Sequence, residues 1–528
     1  MDKTKKILIC GNHPIITDLR RQYEAADWEV TEESTQPYTA NINMFNEVFI
    51  LSNYSESSSV QADSNSIKSL ALLADSYDLS AHEGRKLTCH ILFRSQTTYW
   101  MFKNIDYNIN GVDEKFDIYA FTLESEWATT LLCGFNHSST IKYPYLDRTP
   151  ITCDSSTTVH LVIIGWSEMC RSIAIQTALI AHYPNQVRDS HLRTRITIIG
   201  TNSKTESQSF RRQYATLFDN SYYRSINLNS TEPTCTFHEP EYIGQRKDFI
   251  DIEWEFVQAE LENEVVQKKL SLWATDKHQL LTIALCDNDE NSNLKESLLL
   301  PSEIYAHKIP IFTYVKDKTL VDIARKESKF SEVYPFGMPT AGYDIAQPLT
   351  QMAKLVNYYY SSSYNGNTFP IDDVERLWSE LSSFSMRYSN VANVMTIPTK
   401  MRSLSHQESD WTAFYALTQP EIDQISEVEH NRWCVERLIT GFRPCTNEER
   451  NEIATNILNY VSASIENRKD IPDLKKEYKS KQKAHYDICA FSELGMDRTG
   501  RNVRIYDEVL TASIPLIVKV FNDDYYEK

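Results

Sequence analysis

The chain has 528 residues, which is too long for one hydrophobic core and predicts about three domains. Its net charge of −18 argues against a nucleic acid as the main partner, because a nucleic-acid contact surface carries positive charge. No apolar run reaches the ~18 residues of a membrane helix, and the apolar stretch after the basic start is too short for a signal peptide. The ten cysteines contain no Cys-x-x-Cys pair, so neither a disulfide framework nor a zinc site is indicated, and a cytoplasmic protein is expected.

The first third of the chain alternates predicted strands and helices. Residues 6–10 are an apolar run typical of a strand, Gly11 makes the turn, and residues 15–26 are helical. The later predicted elements are strands at 28–31, 48–51, 88–93 and 116–121, and a helix at 66–79. This alternation predicts an open parallel sheet with helices on both faces. A stretch rich in Pro, Ser and Thr at 143–156 marks its end.

The central third repeats the pattern. Residues 159–164 are a β-branched run, Gly165 ends it, and Ser167 is placed to cap the helix that follows. A strand at 195–199 completes a right-handed β-α-β unit. The remaining predicted elements are strands at 250–256, 280–286, 309–315 and 333–336, and helices at 257–273 and 293–307. After about residue 340, helical periods replace the strand patterns.

Both segments resemble the Rossmann-like nucleotide-binding domains of the TrkA-N or RCK type, found in regulators of potassium transport. The resemblance covers about residues 5–135 and 157–340, and its cofactor-binding candidates are Gly11, Glu32, Gly165, Ser167 and Asp287. A dinucleotide fingerprint needs a second glycine where the backbone approaches the pyrophosphate, and His13 and Ser167 stand there instead. Tight NAD binding is therefore not predicted for either copy. Two scaffold sheets with degenerate pockets are an equally open alternative.

No other pattern in the sequence indicates a catalytic or metal site. Asp287, Asp289 and Glu290 follow a predicted strand, where three carboxylates suit either a Mg²⁺ site or, more commonly, a solvated acidic loop. No metal site is predicted. No P-loop, nucleophile elbow, metalloprotease or kinase signature is present.

The most specific motif lies near the C-terminus. Residues 418–421 read Thr-Gln-Pro-Glu, a capping box that opens a helix ending at Gly441. Four residues recur at four-residue spacing on one face of this helix: Ile425, Glu429, Trp433 and Arg437. A carboxylate, an indole and guanidinium groups on one face predict either a buried ion-pair core or a ligand cup.

Residues 420–520 resemble the RyR domain, first seen in ryanodine receptors and present in many bacterial proteins. The resemblance rests on His-Asn-Arg-Trp at 430–433, on Gly441-Phe442 and on His-Tyr-Asp at 485–487. It implies a domain that accommodates adenine nucleotides, and the ligand-binding candidates are His430, Arg432, Trp433, Arg437, Arg443, His485 and Tyr486.

The residue types agree with a nucleotide-like ligand. Trp433 and Tyr486 offer rings for stacking a base, and the arginines offer bidentate contacts to phosphate. Five lysines between 475 and 483 form a basic cluster in an acidic chain. The alternative is that Trp433 is a core residue, His430 a structural histidine and the lysines a solvated helix face.

These observations predict an α/β chain with two doubly wound parallel-sheet Rossmann-like domains, followed by a mainly α-helical RyR-like domain. The predicted boundaries are 1–150, 151–340, a helical linker region at 341–415, and 416–528. The favoured function is a cytoplasmic ligand sensor: the RyR-like domain binds a nucleotide-derived anionic signal, and the Rossmann-like domains assemble or transmit.

By analogy, such a sensor belongs to a bacterial signalling or phage-defence system. The expected partners are a small nucleotide-like ligand, further copies of the chain in a homo-oligomer, and a membrane or effector protein, but no nucleic acid. Two alternatives stay open: an NAD(P)-dependent or NAD-consuming enzyme, and a cytosolic gating subunit of an ion channel or transporter. The missing nucleophile–base pair weighs against the enzyme.

Overall fold

The computed structural model describes residues 5–34, 38, 40–82, 84–104, 111–133, 141–230, 232–240, 242, 244, 248–365, 369–381, 384–406 and 416–526. In these ranges the chain is an α/β protein built on two large sheets and a helical C-terminal part. The predicted α/β class is confirmed. The assignment of the sheets to Rossmann-like domains and of the C-terminal part to an RyR-like domain stays a prediction, as do the domain boundaries.

The first sheet is entirely parallel. Its strands are β1 (Lys6–Cys10), β2 (Glu29–Glu33), β3 (Glu47–Leu51), β4 (Leu87–Phe93) and β5 (Phe116–Thr122), in the order β2-β1-β3-β4-β5. Its helices are α1 (Ile16–Ala25), α2 (Ser59–Ser76), α3 (Gln96–Asn104), α4 (Val112–Lys115) and α5 (Leu123–Cys133). Successive residues of β1 and β3 enter two different cores, one on each face. This burial on both faces explains their continuous apolar runs.

The second sheet has eight strands. They are β6 (Thr158–Ile164), β7 (Thr194–Gly200), β8 (Tyr222–Asn227), β9 (Thr234–His238), β10 (Ile252–Gln258), β11 (Gln279–Leu285), β12 (Ile311–Tyr314) and β13 (Val333–Phe336). The order is β13-β12-β11-β6-β7-β10-β8-β9, and only the edge pair β8–β9 is antiparallel. The parallel sheet was predicted, but β8 and β9 were not. Both carry polar residues at an incompletely buried edge and so lack the apolar run that marks the inner strands.

Eight helices connect the strands of the second sheet in the described part of the chain. They are α6 (Glu168–Ile180), α7 (Asn185–Arg188), α8 (Ser203–Gln213), α9 (Ala215–Asp219), α10 (Glu264–Thr275), α11 (Glu290–Leu299), α12 (Ser302–Ala306) and α13 (Thr319–Ala324). The prediction of one helix over 293–307 is wrong. The chain forms α11 and α12 there, because Pro301 lies between them and provides no backbone N–H for a continuous helix.

The chain after residue 347 is mainly helical. Its helices are α14 (Pro348–Asn365), α15 (Val374–Ser379), α16 (Phe384–Met395), α17 (Ile397–Ser403), α18 (Gln419–Ile439), α19 (Asn447–Ser462), α20 (Ile465–Arg468), α21 (Leu474–Gln482), α22 (Arg504–Ala512) and α23 (Ile514–Tyr526). Two short strands, β14 (Arg443–Pro444) and β15 (Ala484–His485), pair in parallel. The predicted capping box of α18 is confirmed, since the backbone N–H of Thr418 donates to the Glu421 carboxylate at 2.7 Å.

Two sets of contacts connect these parts. Tyr343, which follows the second sheet, is buried in the core of the first sheet and its hydroxyl lies 2.7 Å from His90 Nδ1. Helix α18 packs against α6 and α9, so that Leu438 and Ile173 share one hydrophobic core with the second sheet. The helical C-terminal part is therefore continuous with the second sheet.

Two further findings concern the whole described chain. None of its helices combines the length and the apolar character that crossing a membrane requires. All ten cysteines are free thiols.

The turn after β6 gives a test of the fold. Gly165 has a positive φ of +96°, and a Cβ there would lie 2.6 Å from the backbone nitrogen of Asp287. Gly84 also has a positive φ, but its Cβ position has no heavy atom within 4 Å. We expect Gly165→Ala to lower the urea midpoint well beyond Gly84→Ala, for which the left-handed backbone alone costs about 1–2 kcal/mol. Equal losses in the two variants would contradict this packing at the end of β6.

Candidate functional site

A polar pocket of about 130 Å³ lies beside α18, and we call it the cup. Helix α18 contributes His430, Arg432 and Trp433, which were all predicted to bind a ligand. The opposite walls come from α14, α16, α22 and the loop after β15, and their polar or aromatic residues are Tyr360, Ser389, Asn390, Asn393, Asp487, Tyr506 and Asp507. Three aromatic rings and several carboxylates thus surround one small volume.

A buried row of alternating charges supports the floor of the cup, and we call it the charge ladder: Lys400, Glu429, Arg432, Glu436 and Arg437. The Lys400 ammonium donates to Glu429 at 2.5 Å. The guanidinium of Arg432 donates to Glu429 at 2.8 Å through Nη2 and to Glu436 at 2.9 Å through Nη1. Arg437 donates to the other oxygen of Glu436.

The charge ladder fixes Arg432, one of the predicted ligand residues, in ion pairs. Arg432 is 1% exposed, and its three nitrogens all donate to the two glutamates, so it lines the cup as part of an ion-pair core. Burial raises the pKa of Glu429, but Arg432 and Lys400 outweigh it and bring the pKa down to about 2. The ion-pair core, one of the two predicted possibilities for this face, is therefore present beside the cup.

His430 is fixed by three neighbours. Its Nε2 lies 2.9 Å from the carbonyl oxygen of Cys489, its Nδ1 lies 3.3 Å from Asp507, and its ring stacks near Trp433 at 5.8 Å between centroids. Burial alone would lower the pKa of His430, but the thiol of Cys434 and the Asp507 carboxylate raise it well above its usual value. The imidazole is thus held between the Cys489 carbonyl and Asp507 at the wall of the cup.

Arg437 lies at the edge of this arrangement. Its guanidinium carbon is 5.8 Å from the ring centroids of both Trp433 and Phe442. Within the described part of the chain, its buried Nε has no hydrogen-bond acceptor. Arg437 therefore has a donor that none of the described residues accepts from.

Three cations lie close to His485. Burial is the main cause that lowers the pKa of His485 to about 3, while Lys479, Lys475 and Arg437 act in the same direction and Asp487 opposes them. Burial is also the main cause that lowers the pKa of Lys479, with Arg437 adding to it and Asp487 opposing it. These shifts therefore place cations near His485, while burial accounts for most of their size.

The basic cluster itself lies on and just after α21. Lys475 bonds to Asp487 at 2.7 Å, and Lys481 pairs with Glu477. Lys479 forms no salt bridge with a described residue and lies near Arg437. Part of the predicted cluster is thus a solvated helix face, and Lys479 places a positive charge near Arg437.

Four predicted ligand residues do not line the cup: Arg437, Arg443, His485 and Tyr486. Arg437 and His485 lie beside the Trp433 ring, and the other two make separate contacts. Arg443 binds Glu449 through both terminal nitrogens, at 2.8 and 2.7 Å. Tyr486 is buried in a separate cluster with Cys445, below the guanidinium of Arg450 at 5.0 Å. The rings that face Trp433 across the cup are instead Tyr360 and Tyr506, and only Tyr506 belongs to the segment that resembles the RyR domain.

The cofactor-binding candidates of the first sheet contact other residues of the same sheet region. Gly11 has a φ of +121°, and a Cβ there would lie 2.3 Å from the carbonyl oxygen of Leu51. Glu32 pairs with Arg20 at 2.5 Å. His13, in the position of the missing second glycine, is buried against Tyr54 with 5.0 Å between ring centroids. A side chain therefore occupies the turn where a pyrophosphate would approach.

The second sheet brings Gly165 and Asp287 together at the ends of β6 and β11. Ser167 caps α6, as predicted, because its hydroxyl accepts from the Cys170 N–H at 3.1 Å. The amide of Asn288 donates to the carbonyl oxygen of Trp166 at 3.3 Å, and the Trp166 indole donates to Ser203 at 2.8 Å. These bonds cross the crevice between the strand ends, where open α/β sheets bind ligands.

The acidic loop after β11 uses its carboxylates for backbone contacts. Asp287 accepts from the N–H of Asp289, Asp289 caps α11, and Glu290 accepts from the N–H of Lys316. Among the described residues, no group of three or more His, Cys, Asp or Glu side chains is arranged to hold a metal ion.

Comparisons of the chain with models of protein families, with curated proteins and with solved structures find no match. The geometry of the cup and of the charge ladder is therefore the basis for inferring a function.

Removing Arg432, the central cation that bridges both glutamates of the charge ladder, should be costly. Arg432→Met leaves Glu429 and Glu436 with fewer partners in a buried site, and we expect it to lower the free energy of unfolding by about 3–5 kcal/mol. Arg443→Met breaks a partly exposed pair and should cost about 1 kcal/mol or less. Urea unfolding followed by tryptophan fluorescence measures both. Similar losses would mean that the charge ladder is not the buried core described here.

The pKa of Glu429 also predicts how stability depends on pH. The pKa is about 2 in the folded chain and near its ordinary value of 4.5 when the chain unfolds, so the unfolded state binds the proton first as pH falls. The stabilisation is complete above about pH 4.5 and is lost progressively towards about pH 2. Melting temperatures across this range should fall more steeply for the natural chain than for Glu429→Gln. Parallel curves would refute the assignment.

Proposed function

We propose that this protein is a ligand sensor whose RyR-like C-terminal domain binds a nucleotide-derived anion at the cup. The observation that carries this proposal is the Nε donor of Arg437, which is buried beside the Trp433 ring, has no acceptor among the described residues and lies near Lys479. A buried donor that makes no hydrogen bond destabilises the folded protein, and a bound ligand can supply the missing acceptor. A phosphate oxygen is a suitable acceptor for a guanidinium.

The cup also offers a place for a base. Trp433, Tyr360 and Tyr506 line it, and the centroids of the two tyrosine rings are 5.6 Å apart. Asn390 and Asn393 add amide groups that can donate and accept hydrogen bonds. The cup of about 130 Å³ has room for a base alone, so the sugar and phosphates would lie outside it, towards Arg437 and Lys479. Such a ligand would use both the aromatic and the cationic parts of the site.

The packing of α18 supports a role in transmission. The middle of this helix lines the cup, and its C-terminal residues share a core with α6 of the second sheet. The hydroxyl of Thr216, in α9, donates to the carbonyl oxygen of Leu438 at 2.5 Å. A change in the position of α18 on ligand binding would therefore reach the Rossmann-like sheet through direct contacts.

In this proposal the two Rossmann-like domains assemble or transmit and do not bind NAD tightly. The filled turn at His13 and the bonds across the crevice at Trp166 support this part. The cytoplasmic setting, the homo-oligomer and the membrane or effector partner belong to the same proposal, together with a place in bacterial signalling or phage defence.

Arg437→Met tests the proposal. In this variant Glu436 keeps its contacts with Arg432 and with Ser389, at 2.9 Å each, so we expect a melting temperature close to that of the natural chain. The natural chain should be stabilised by ATP or ADP-ribose, by ~2.7 kcal/mol at 100 times Kd, and the variant should lose this response. Arg376→Met, at an exposed surface pair, should keep it.

A second variant separates the roles of the two side chains. Trp433→Leu should reduce both stability and ligand response, because the indole also packs against His485 at 4.9 Å between centroids. The proposal fails if Arg437→Met unfolds the protein, or if this variant folds and still responds to the nucleotides as the natural chain does.

A further inference from the structure

A second and larger cavity, of about 240 Å³, lies at the centre of the molecule, where all its parts meet. Its walls come from the first sheet, from α6 of the second sheet, from α14 and α16, and from the last residues of α18. None of the residues discussed above as a ligand or cofactor candidate lines it. The proposed function of the cup therefore leaves this cavity unexplained.

Aromatic side chains dominate the cavity wall, and they come from separate parts of the chain: Tyr99, Tyr119 and Phe121 from the first sheet region, Tyr214 from the second, and Trp378 and Tyr388 from the linker helices. Flat rings on several sides of one volume favour a flat occupant, since stacking on aromatic faces is a major source of affinity for such molecules.

The wall has no surplus of positive charge. Its two arginines are paired: Arg171 with Glu206 at 2.7 Å, and Arg387 with Asp117 at 3.0 Å. Three carboxylates, Glu126, Glu168 and Asp344, also line the cavity. A phosphate would therefore have to be desolvated without compensation, and the wall disfavours an anionic occupant.

Polar groups are still available for an uncharged occupant. Gln96 lies between the two sheet regions and donates its two amide hydrogens to Thr122 at 2.8 Å and to Ser172 at 3.0 Å, so the group it can offer a ligand is its carbonyl oxygen. Gln213 and Gln347 add further amides, and the Nε of Arg387 is buried without an acceptor among the described residues. Such groups hydrogen-bond the ring nitrogens, carbonyls and amino groups of a heteroaromatic molecule.

The size of the cavity limits the occupant further. A volume of about 240 Å³ lies just below the ~300–1,000 Å³ of typical ligand pockets. We propose that this cavity is a second binding site, for a neutral planar heteroaromatic molecule of nucleobase or nucleoside size. The site differs from the cup in both place and ligand charge.

The experiment uses adenosine, guanosine, cytidine, uridine and the four free bases as probes on the full chain. At least one should raise the melting temperature and bind in calorimetry. Ile175 is a partly buried residue of α6 that lines the cavity, so Ile175→Trp should fill the space and weaken binding of that probe by roughly tenfold or more. Leu272→Trp, on the exposed side of α10, should bind it normally.

Two further measurements distinguish the cavity from the cup, and one of them uses the natural chain, so it does not depend on whether a variant folds. Arg437→Met should bind the nucleoside or base unchanged, because the cup is a different site. Photolabelling of the natural chain with 8-azidoadenosine should modify peptides that carry cavity residues such as Tyr119, Tyr214 or Tyr388. The proposal is overturned if no probe binds, if a folded Ile175→Trp binds with unchanged affinity, or if the label is found only on cup peptides or elsewhere.

Discussion

The charge ladder is the constraint on which the arrangement of the C-terminal part depends. Its five ionised side chains are each less than a tenth exposed, so each must be paired to offset the loss of hydration. The partners come from different helices: Lys400 from α17, Ser389 from α16, and the remaining groups from α18. A shift of α18 by one turn would leave buried charges without partners. The charge ladder therefore favours one register of these three helices over its neighbours.

This constraint also explains why the cup has a fixed shape. Glu429, His430, Arg432 and Trp433 occupy one turn of α18, and three of these side chains are tied to groups outside that turn. Arg437 ends the charge ladder and keeps, at the edge of the cup, a donor that none of the described residues accepts from. A preorganised wall costs little conformational entropy when a ligand binds, and so most of the binding free energy remains available for affinity.

The sequence predicted those features that depend on local patterns. Inner strands such as β6 were found because burial on both faces demands an unbroken apolar run, and the Thr418–Glu421 capping box because its signal spans four residues. Helical spacing also placed Glu429 and Arg437 on one face. It did not predict Lys400 as a partner of Glu429, because that contact joins two helices whose relative position depends on tertiary packing.

Tyr486 shows how a local pattern can mislead. It follows His485 directly, but successive side chains of extended backbone point to opposite sides. His485 therefore contacts the Trp433 ring, and Tyr486 packs under Arg450 in another cluster. The central cavity was beyond sequence reasoning for a different reason. Its walls come from segments that lie far apart in the sequence, and no single segment indicates the cavity.

Helix α16 lies between the two cavities and contributes side chains to the wall of each. Tyr388, Val391 and Met395, at helical spacing, line the central cavity. Ser389, Asn390 and Asn393, on the other face, line the cup. An occupant on one side that moves α16 changes the volume on the other side. Because coupling between two sites is reciprocal, each ligand would alter the affinity for the other by the same factor. A sensor built in this way would respond to a combination of two small molecules through one shared helix.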